Sequence, residues 1–267
     1  MSTPQLSVVI AWADRPELAR TLAHNMPVFE EADAEVIVAS CGGSPELLRD
    51  CLARARSPRV ESITIPTSFN KALALNVGAH RARAETLFFL DSDLELARGT
   101  CSEALAVVDE SCAVTLDRVV ESEGDGLDYP GLRSVINTFA LETADGRSVQ
   151  IVNHRHLDDG SRNAPGMVFL RKSCFEGVGG MNSDLTGWGW EDLDLLFRLQ
   201  LSLRLRVERF GTATHLTHGD ERRSIDGASR ILNEARNSNM CMYNYGVGHY
   251  LGTYADDVAT WAPRSST

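Results

Sequence analysis

Three carboxylates follow two glycines and two tryptophans in the segment 187–194, which reads Gly-Trp-Gly-Trp-Glu-Asp-Leu-Asp. Glycine lets the backbone approach a ligand closely, and the faces of Trp188 and Trp190 are flat apolar platforms on which sugar rings can stack. Glu191 and Asp192 fall in the first turn of the helix that the following apolar residues predict, where the helix dipole favours anions. An acidic first turn packed by two tryptophans is the purely structural alternative.

A second acidic motif, Asp91-Ser92-Asp93, directly follows an apolar strand predicted over residues 86–90. In open parallel sheets, ligands bind outside the carboxyl ends of the strands. Two aspartates at this spacing can place one oxygen on a divalent metal and another on a ribose or sugar hydroxyl. Oxygen ligands suit Mg²⁺ or Mn²⁺ bridging a diphosphate. For the triplet alone, solvated turn acids are the alternative.

Two histidines, His215 and His218, follow a strand-like segment further along the chain. His218 is the first candidate to supply a nitrogen to a metal held by Asp93, and His215 is the other. An imidazole beside a carboxylate favours Mn²⁺ over Mg²⁺, because Mg²⁺ strongly prefers oxygen ligands. A pair of this spacing can equally be structural or solvated.

Lys71 and Asn76 lie on a helix predicted over residues 70–84, which feeds the strand before the acidic triplet. Lys71 could offset the phosphate charge of a nucleotide as a point cation. A solvated helix face is the alternative for this segment.

The bulk composition is that of a globular protein. The chain has 267 residues, of which 43% are hydrophobic and 24% charged, and it fits one large α/β domain or two small ones. The net charge of −11 argues against a nucleic-acid or anionic-membrane surface. No apolar run approaches the ~20 residues of a membrane span, and residues 1–5 show no secretory signal. We therefore expect a cytoplasmic protein whose six cysteines are reduced.

The first 90 residues alternate strands and helices with short connections, which indicates a mostly parallel sheet with helices on both faces. The predicted strands are 6–11, 35–39, 60–65 and 86–90, and the predicted helices are 16–25, 45–56 and 70–84. This is an α/β fold whose fourth strand, almost wholly apolar, should be central.

From residue 113 onward the alternation breaks. Residues 119–165 contain acidic and glycine-rich loops around a predicted hairpin, one arm of which is 148–153; Tyr129 and Arg162 fall in this stretch. Such a stretch usually carries substrate-specific loops. A strand at 167–170, a helix at 191–201, a final edge strand at 204–207, a helix at 225–244 and a disordered end at 263–267 complete the prediction.

Taken together, these segments resemble the β-1,4-galactosyltransferase family and its bacterial relatives among the inverting GT-A glycosyltransferases. The resemblance spans about residues 6–225, and the Gly-Trp-Gly-x-Glu-Asp block is its most specific part. The matching runs, in that family's order, are 8–10 with Trp12 and Arg15, then 69–78, 91–93, 187–194 and 217–218.

The resemblance implies a GT-A fold and a role for each matching residue. Asp93 and His218 would be metal ligands, with His215 where a further ligand can sit. Asp192 matches the general base, and Glu191 would line the sugar site. The remaining implied contacts are Trp12, Arg15, Lys71, Asn76 and Asp91 on the nucleotide or donor side and Trp188, Trp190, Asn163 and Gly166 on the sugar or acceptor side.

The sequence also departs from the family pattern. Trp190 stands where the family usually has a second glycine, which would narrow or reshape the sugar pocket. Asn163 stands where the animal enzymes have an aromatic residue, so it leaves room for an N-acetyl group on the donor. Lys71 replaces an arginine and cannot grip a phosphate bidentately. Residues 40–43 replace an acidic turn that often contacts uracil.

The expected function is metal-dependent transfer, with inversion, of a hexose or N-acetylhexosamine from a UDP-sugar to an acceptor hydroxyl. Mn²⁺, or else Mg²⁺, would be the cofactor, and the acceptor could be a glycan, a peptide or a small natural product. One single GT-A domain would comprise a nucleotide-sugar half (1–112), an acceptor and catalytic half (113–222) and a C-terminal helix and tail (223–267).

Three alternatives remain open at this point. A retaining enzyme similar to the polypeptide N-acetylgalactosaminyltransferases shares a Trp-Gly-x-Glu segment, but it lacks an aspartate at the position of Asp192. A non-catalytic nucleotide-sugar-binding protein would keep the scaffold without turnover. A nucleotidyltransferase would need a glycine-rich basic loop after the first strand, and residues 11–14 read Ala-Trp-Ala-Asp.

Overall fold

The computed structural model describes residues 3–55, 57, 59–123, 131–218 and 230–262. Its strands are β1 (Leu6–Trp12), β2 (Ala34–Cys41), β3 (Val60–Ile65), β4 (Thr86–Phe89), β5 (Leu94–Leu96), β6 (Cys112–Glu121), β7 (Ser134–Glu142), β8 (Ser148–His156), β9 (Arg162–Arg171) and β10 (Arg206–His215). Its helices are α1 (Leu18–Glu31), α2 (Pro45–Ala55), α3 (Lys71–Arg81), α4 (Thr100–Leu105), α5 (Lys172–Gly177), α6 (Glu191–Leu203), α7 (Arg230–Gly246) and α8 (Tyr254–Trp261).

The ten strands of the described residues form one sheet, whose main order is β3-β2-β1-β4-β9-β6-β10-β5, with β8 beside β9 and β7 beside β8. Strands β3, β2, β1 and β4 run parallel, as the alternation of strands and helices predicts. One hydrophobic cluster packs α1 and α2 against one face, and a second packs α3 and α6 against the other. The expected α/β sheet with helices on both faces is therefore confirmed, and β4 is central.

The second half of the sheet is mixed. Strand β9 runs antiparallel to both β4 and β6, whereas β10 is parallel to β6 and antiparallel to β5. The expected final edge strand at 204–207 is wrong in length and place, because β10 continues to His215 and lies between β6 and β5. Polar residues and Gly211 interrupt its apolar pattern, so the sequence shows only its beginning.

Several elements differ from their predicted bounds. Helix α1 continues to Glu31 although Pro27 removes one of its N–H donors, because Val28 and Phe29 are buried in the core. The predicted hairpin is β7–β8. Strands β5 and β6 and helices α4, α5 and α8 were not expected. The helix predicted at 225–244 is observed from Arg230, and residues 225–229, like 263–267 and Tyr129, lie outside the described residues.

A buried ion pair within α6 is linked to α7 by a tyrosine. Asp194 and Arg198 are each about 2% exposed, and the two side chains meet at 2.7 Å. The hydroxyl of Tyr245 donates to the second oxygen of Asp194 at 2.7 Å. Asn237 on α7 donates to the carbonyl of Gly189 at 2.8 Å. Asp194 is thus a structural residue, whose charge helps to fix the loop that precedes α6.

No helix in the described part of the chain is both long and apolar enough to cross a membrane. All six cysteines are buried as free thiols. Burial raises the pKa of Cys101 to about 12, so this thiol stays protonated and acts as a small apolar side chain.

Candidate active site

A cavity of about 1280 Å³ opens at the carboxyl ends of β1 and β4, the place where ligands bind in open α/β sheets. Most of the residues singled out in the sequence line it. These are Arg15, Lys71, Asp91, Asp93, Asn163, Gly166, Trp188, Trp190, Glu191, Asp192, His215 and His218. The cavity also touches α7 and the β7–β8 hairpin, which the sequence analysis left without assigned site residues.

Asp93, His215 and His218 form a compact cluster of possible metal ligands. Their ligand atoms all lie within 4.8 Å of one another. His218 Nε2 is 3.1 Å from one oxygen of Asp93, and His215 Nε2 is 3.6 Å from the other. That second oxygen is buried and has no hydrogen-bond partner. A buried, unpartnered carboxylate oxygen beside two imidazoles is a donor set that fits a divalent cation.

The cluster exists because β5 follows the acidic triplet and turns back against β10. In that antiparallel pairing His215 is opposite Leu94, the residue after Asp93. The backbone N–H of Leu216 also donates to the carbonyl of Asp93 at 2.8 Å. Residues more than 120 positions apart are therefore held together by strand pairing, which makes the cluster rigid.

Glu121, at the end of β6, orients His215. The two residues are direct partners in the parallel β6–β10 ladder, and His215 Nδ1 lies 2.5 Å from the Glu121 carboxylate. With Nδ1 occupied in this way, Nε2 faces Asp93. A carboxylate that fixes the orientation of a ligand histidine is a common feature of metal sites. The sequence analysis missed Glu121 because residues 119–121 were assigned to a loop.

The electrostatics of the cluster follow from these contacts. Burial lowers the pKa of His215, but the contacts with Asp93 and Glu121 outweigh it and raise the pKa to about 9. Burial raises the pKa of Asp93, yet the nearby histidines and Arg15 hold it below its ordinary value. Asp93 is therefore an anion in the folded protein, as a metal ligand must be.

Lys71 joins the two acidic motifs. Its ammonium lies 3.1 Å from Asp91 and 3.2 Å from Asp192, and its side chain is 19% exposed. Burial lowers the pKa of Lys71, but the charges of Asp192 and Asp91 raise it well above the ordinary value. Lys71 is thus a permanent cation between the acid after β4 and the acid at the start of α6.

Glu191 has a raised pKa. Burial, and next the charge of Asp192, raise the pKa of Glu191 to about 7, although Lys71 opposes the shift. Near neutral pH a large fraction of Glu191 is protonated and can donate a hydrogen bond, whereas its neighbour in the same helical turn pairs with Lys71. The two adjacent carboxyls therefore occupy different electrostatic environments.

Gly166 on β9 makes room for Asp192. A Cβ atom at position 166 would lie 2.1 Å from an oxygen of the Asp192 carboxylate. Any side chain there would push this carboxylate out of its place beside Lys71. The structure thus connects Gly166 to the position of Asp192.

Trp190 adopts a strained backbone where the resembled family has glycine. Its φ is +76°, in the left-handed region that glycine enters most easily. The indole packs against Phe139 of the hairpin and Phe197 of α6, at ring-centroid distances of 5.9 and 6.3 Å. Packing of the large side chain offsets the backbone strain. Trp188 also lines the cavity, with the guanidinium of Arg230 stacked 3.6 Å from its ring.

Two expected contact residues are used differently in the structure. Trp12 is fully buried and donates to the carbonyl of Arg15; it is absent from the cavity lining, so it supports the loop that carries Arg15. Asn76 is also fully buried away from the cavity, and it binds the backbone of Met181 and the side chain of Asp257. Both were expected to contact the nucleotide, and both are corrected to supporting roles.

Asn163 does line the cavity, but its amide is already engaged. Its oxygen accepts from the N–H of His154 at 2.8 Å, and its nitrogen donates to the carbonyl of Val152 at 2.7 Å. These bonds tie β9 to β8. The small side chain leaves space in the cavity, while its polar atoms serve the hairpin.

Comparison with known proteins agrees with this architecture. The family description for glycosyl transferase family 2 matches residues 7–174. The chain belongs to this family. A second description, N-terminal domain of galactosyltransferase, matches residues 148–220, in line with the resemblance seen in the sequence. The transferase is 31% identical over 100 residues to the O-antigen biosynthesis protein RfbC of Myxococcus xanthus, which covers 35% of this chain and 8% of that protein.

Two solved structures of S. aureus TarS share the fold. The structure of residues 1–349 superimposes with a TM-score of 0.52 and 14% identity, covering 79% of this chain and 60% of that one. A second structure gives a TM-score of 0.50 and 16% identity, covering 80% and 37%. The chain thus spans less than two thirds of the length of these relatives. The GT-A fold and the glycosyltransferase assignment are confirmed.

Removing the charge of Glu121 should weaken metal binding. Glu121→Gln keeps the shape but loses the charge that fixes His215, so we expect the Kd for Mn²⁺ to rise about 10–100-fold. Calorimetric titration of the substrate-free enzyme with Mn²⁺ measures this directly. Glu234→Gln, which neutralises a cavity carboxylate beside Gly189, is the matched control. Equal Mn²⁺ affinity in wild type and Glu121→Gln would show that Glu121 does not orient a ligand.

Glu191 should make stability depend on pH. Because its folded pKa of about 7 exceeds the ordinary 4.5, its contribution is complete below about pH 4.5 and lost as pH rises through 7. The facing charges are Asp192, Lys71 and Asp91. Glu191→Gln should flatten the Tm profile between pH 5 and 8 and stabilise the protein at pH 8 by about 1–2 kcal/mol. Differential scanning fluorimetry tests this, with Glu208→Gln as control, because Glu208 is half-exposed on β10 and lies outside the cavity. Identical profiles for wild type and Glu191→Gln would contradict the prediction.

Proposed function

We propose that the chain transfers a hexose or N-acetylhexosamine from a UDP-sugar to an acceptor hydroxyl with inversion, with Asp192 as the general base. The position of Asp192 is the main observation that supports this proposal. Its carboxylate lies in the same cavity as the Asp93–His215–His218 cluster and is connected through Lys71 to Asp91, the acid directly after β4. Base, donor-side acid and candidate metal ligands thus line one site.

The chemistry assigned to Asp192 is removal of the acceptor proton. As the acceptor oxygen bonds to the anomeric carbon, its O–H bond breaks and the proton passes to the carboxylate, while the bond to the diphosphate breaks on the opposite face. Inversion follows from this single displacement. The protonated form of Glu191 is suited to donate a hydrogen bond to a sugar hydroxyl. Holding both substrates in line contributes several further kcal/mol to the lower barrier.

Asp93, His215 and His218 would hold a divalent cation, for which Mn²⁺ is the proposed identity because two of the three donors are imidazole nitrogens. When bound, the ion supplies Lewis-acid stabilisation of the charge that develops on the departing diphosphate. Arg15 lines the same part of the cavity, and one of its guanidinium nitrogens is buried without a hydrogen-bond partner. This nitrogen is suited to an anionic or carbonyl oxygen of the nucleotide.

Lys71 would serve both substrates. In the free protein its charge is shared by Asp91 and Asp192. A diphosphate entering the site competes for the ammonium, and Asp192 then becomes free to accept a proton. Donor binding would in this way prepare the base, which favours donor binding before acceptor deprotonation.

Replacement of the base should separate chemistry from binding. Asp192→Asn nearly preserves shape, so kcat should fall by ~10²–10⁴ while UDP and Mn²⁺ still bind. Donors are screened first by UDP release, with and without Mn²⁺, and the variant is then assayed with the best donor. Asp194→Asn, outside the cavity, should lower stability and change kcat far less. Near wild-type turnover in Asp192→Asn, together with loss in Glu191→Gln, would move the base to Glu191.

The stereochemistry of the product distinguishes this proposal from a retaining enzyme. NMR of the anomeric proton early in the reaction should show the configuration opposite to that of the donor. Retained configuration would instead support a mechanism without Asp192 as base. UDP binding without consumption of any UDP-sugar in the presence of acceptors would point to a non-catalytic binding protein.

A further inference from the structure

The wall of the cavity built by the β7–β8 hairpin and the start of β9 differs in charge from the other walls. Seven carboxylates line the described cavity, and all lie outside these strands: Asp14, Asp91, Asp93, Glu121, Glu191, Asp192 and Glu234. The hairpin side contributes Arg155 and Arg162 together with amide, imidazole and apolar side chains. Arg15, Lys71 and Arg230 also line the cavity, but only on the sides that carry carboxylates, whereas the hairpin side has two cations and no carboxylate.

The two arginines stand directly opposite each other. Arg155 on β8 and Arg162 on β9 are partners in the ladder that joins these strands. This register places two guanidinium groups on neighbouring strands of the cavity lining, close enough for one anion to contact both. Arg162 lies 3.5 Å from Glu121 and remains 41% exposed, so this contact leaves its guanidinium accessible from the cavity. The planar guanidinium of arginine can donate two parallel hydrogen bonds to a carboxylate or a phosphate.

Two buried polar atoms on β8 lack a partner. Asn153 Oδ1 and His154 Nε2 have no hydrogen-bond partner, and both residues line the cavity. Leaving such atoms without partners is unfavourable. Polar groups of a bound ligand would recover that cost. Cations and unsatisfied polar atoms together describe a site for a polar, anionic molecule.

Strand β9 connects this wall to the proposed base. Arg162 is the first residue of β9, and Gly166, against which the Asp192 carboxylate packs, lies four residues further along the same strand. Four residues of extended strand span ~13 Å. A molecule whose hydroxyl reaches Asp192 can therefore place a group one or two sugar-sized units away between Arg155 and Arg162. The donor diphosphate, in contrast, is assigned to Lys71 and the Asp93–His215–His218 cluster.

We propose that Arg155 and Arg162 form an acceptor subsite for an anionic group, a phosphate or a carboxylate, carried close to the hydroxyl that receives the sugar. This inference rests on the proposed function for the identity of the acceptor. The preference for an anionic ligand rests on the arginine pair and the unsatisfied atoms beside it.

Matched small probes test the subsite without knowledge of the natural acceptor. Galactose, galactose 6-phosphate and galacturonate are titrated by calorimetry into the full chain with saturating UDP and Mn²⁺, which occupy the donor site, and each probe is also titrated into the same buffer without protein. At least one anionic probe should bind ten or more times more tightly than galactose. Arg155→Gln/Arg162→Gln should abolish the difference, and raising the salt concentration should reduce it.

Controls keep the result interpretable. Arg49→Gln removes an exposed charge on α2, outside the cavity, and should leave the preference intact. Each single variant is also measured, because Arg162 contacts Glu121 as well. The phosphate and carboxylate probes show which anion is preferred, and either preference supports the subsite.

Two results would overturn the inference. One is that the anionic probes bind no more tightly than galactose, or do not bind at all. The other is a double variant that keeps the preference or that loses affinity for UDP, which would assign the arginines to the donor. Calorimetry of UDP with Mn²⁺ is run separately on the wild type. Absence of UDP binding there would refute the proposed function, while the probe titrations repeated without UDP still decide the anion preference.

Discussion

Repulsion among the carboxylates that line one cavity is the constraint on which the arrangement of the active site depends. Asp91, Asp93, Glu191 and Asp192 line it together, and like charges at this spacing repel. Lys71 offsets the charges of Asp91 and Asp192 by pairing with both. Protonation of Glu191 reduces the repulsion further, because burial raises the pKa of Glu191 to about 7. On the Asp93 side, His215 and His218 provide ring nitrogens that could bind a metal ion together with this carboxylate.

The framework that sustains this arrangement is the continuous sheet. Parallel strands deliver Asp91 and Asp93 to one edge, and the mixed half brings His215 beside them through β5 and β10. Behind the site, the buried Asp194–Arg198 pair and Tyr245 hold α6 against α7. A site that gathers several acids needs such support, because their mutual repulsion is only partly offset and destabilises the fold.

Much of this could be predicted from the sequence where the signal is local. Apolar strands, short connections and the triplet after β4 fixed the parallel half and the place of Asp91 and Asp93, and the Gly-Trp block led to Asp192. The positions that failed depend on distant partners. Trp12 and Asn76 carry no local sign of being buried, Glu121 acquires its role only by pairing with His215, and the opposition of Arg155 and Arg162 arises from strand register. Strand β10 is half exposed, so its residues do not show the apolar pattern from which the length of a strand is predicted.

In the proposed mechanism, one cavity holds the metal, the donor diphosphate and the base. Anomalous diffraction at the manganese edge, on crystals grown with Mn²⁺ and UDP, tests this arrangement. We expect a single strong peak among Asp93, His215 and His218, with the diphosphate beside it and the Asp192 carboxylate facing the open side of the same cavity. A peak elsewhere, or UDP bound with no metal at these three residues, would contradict it.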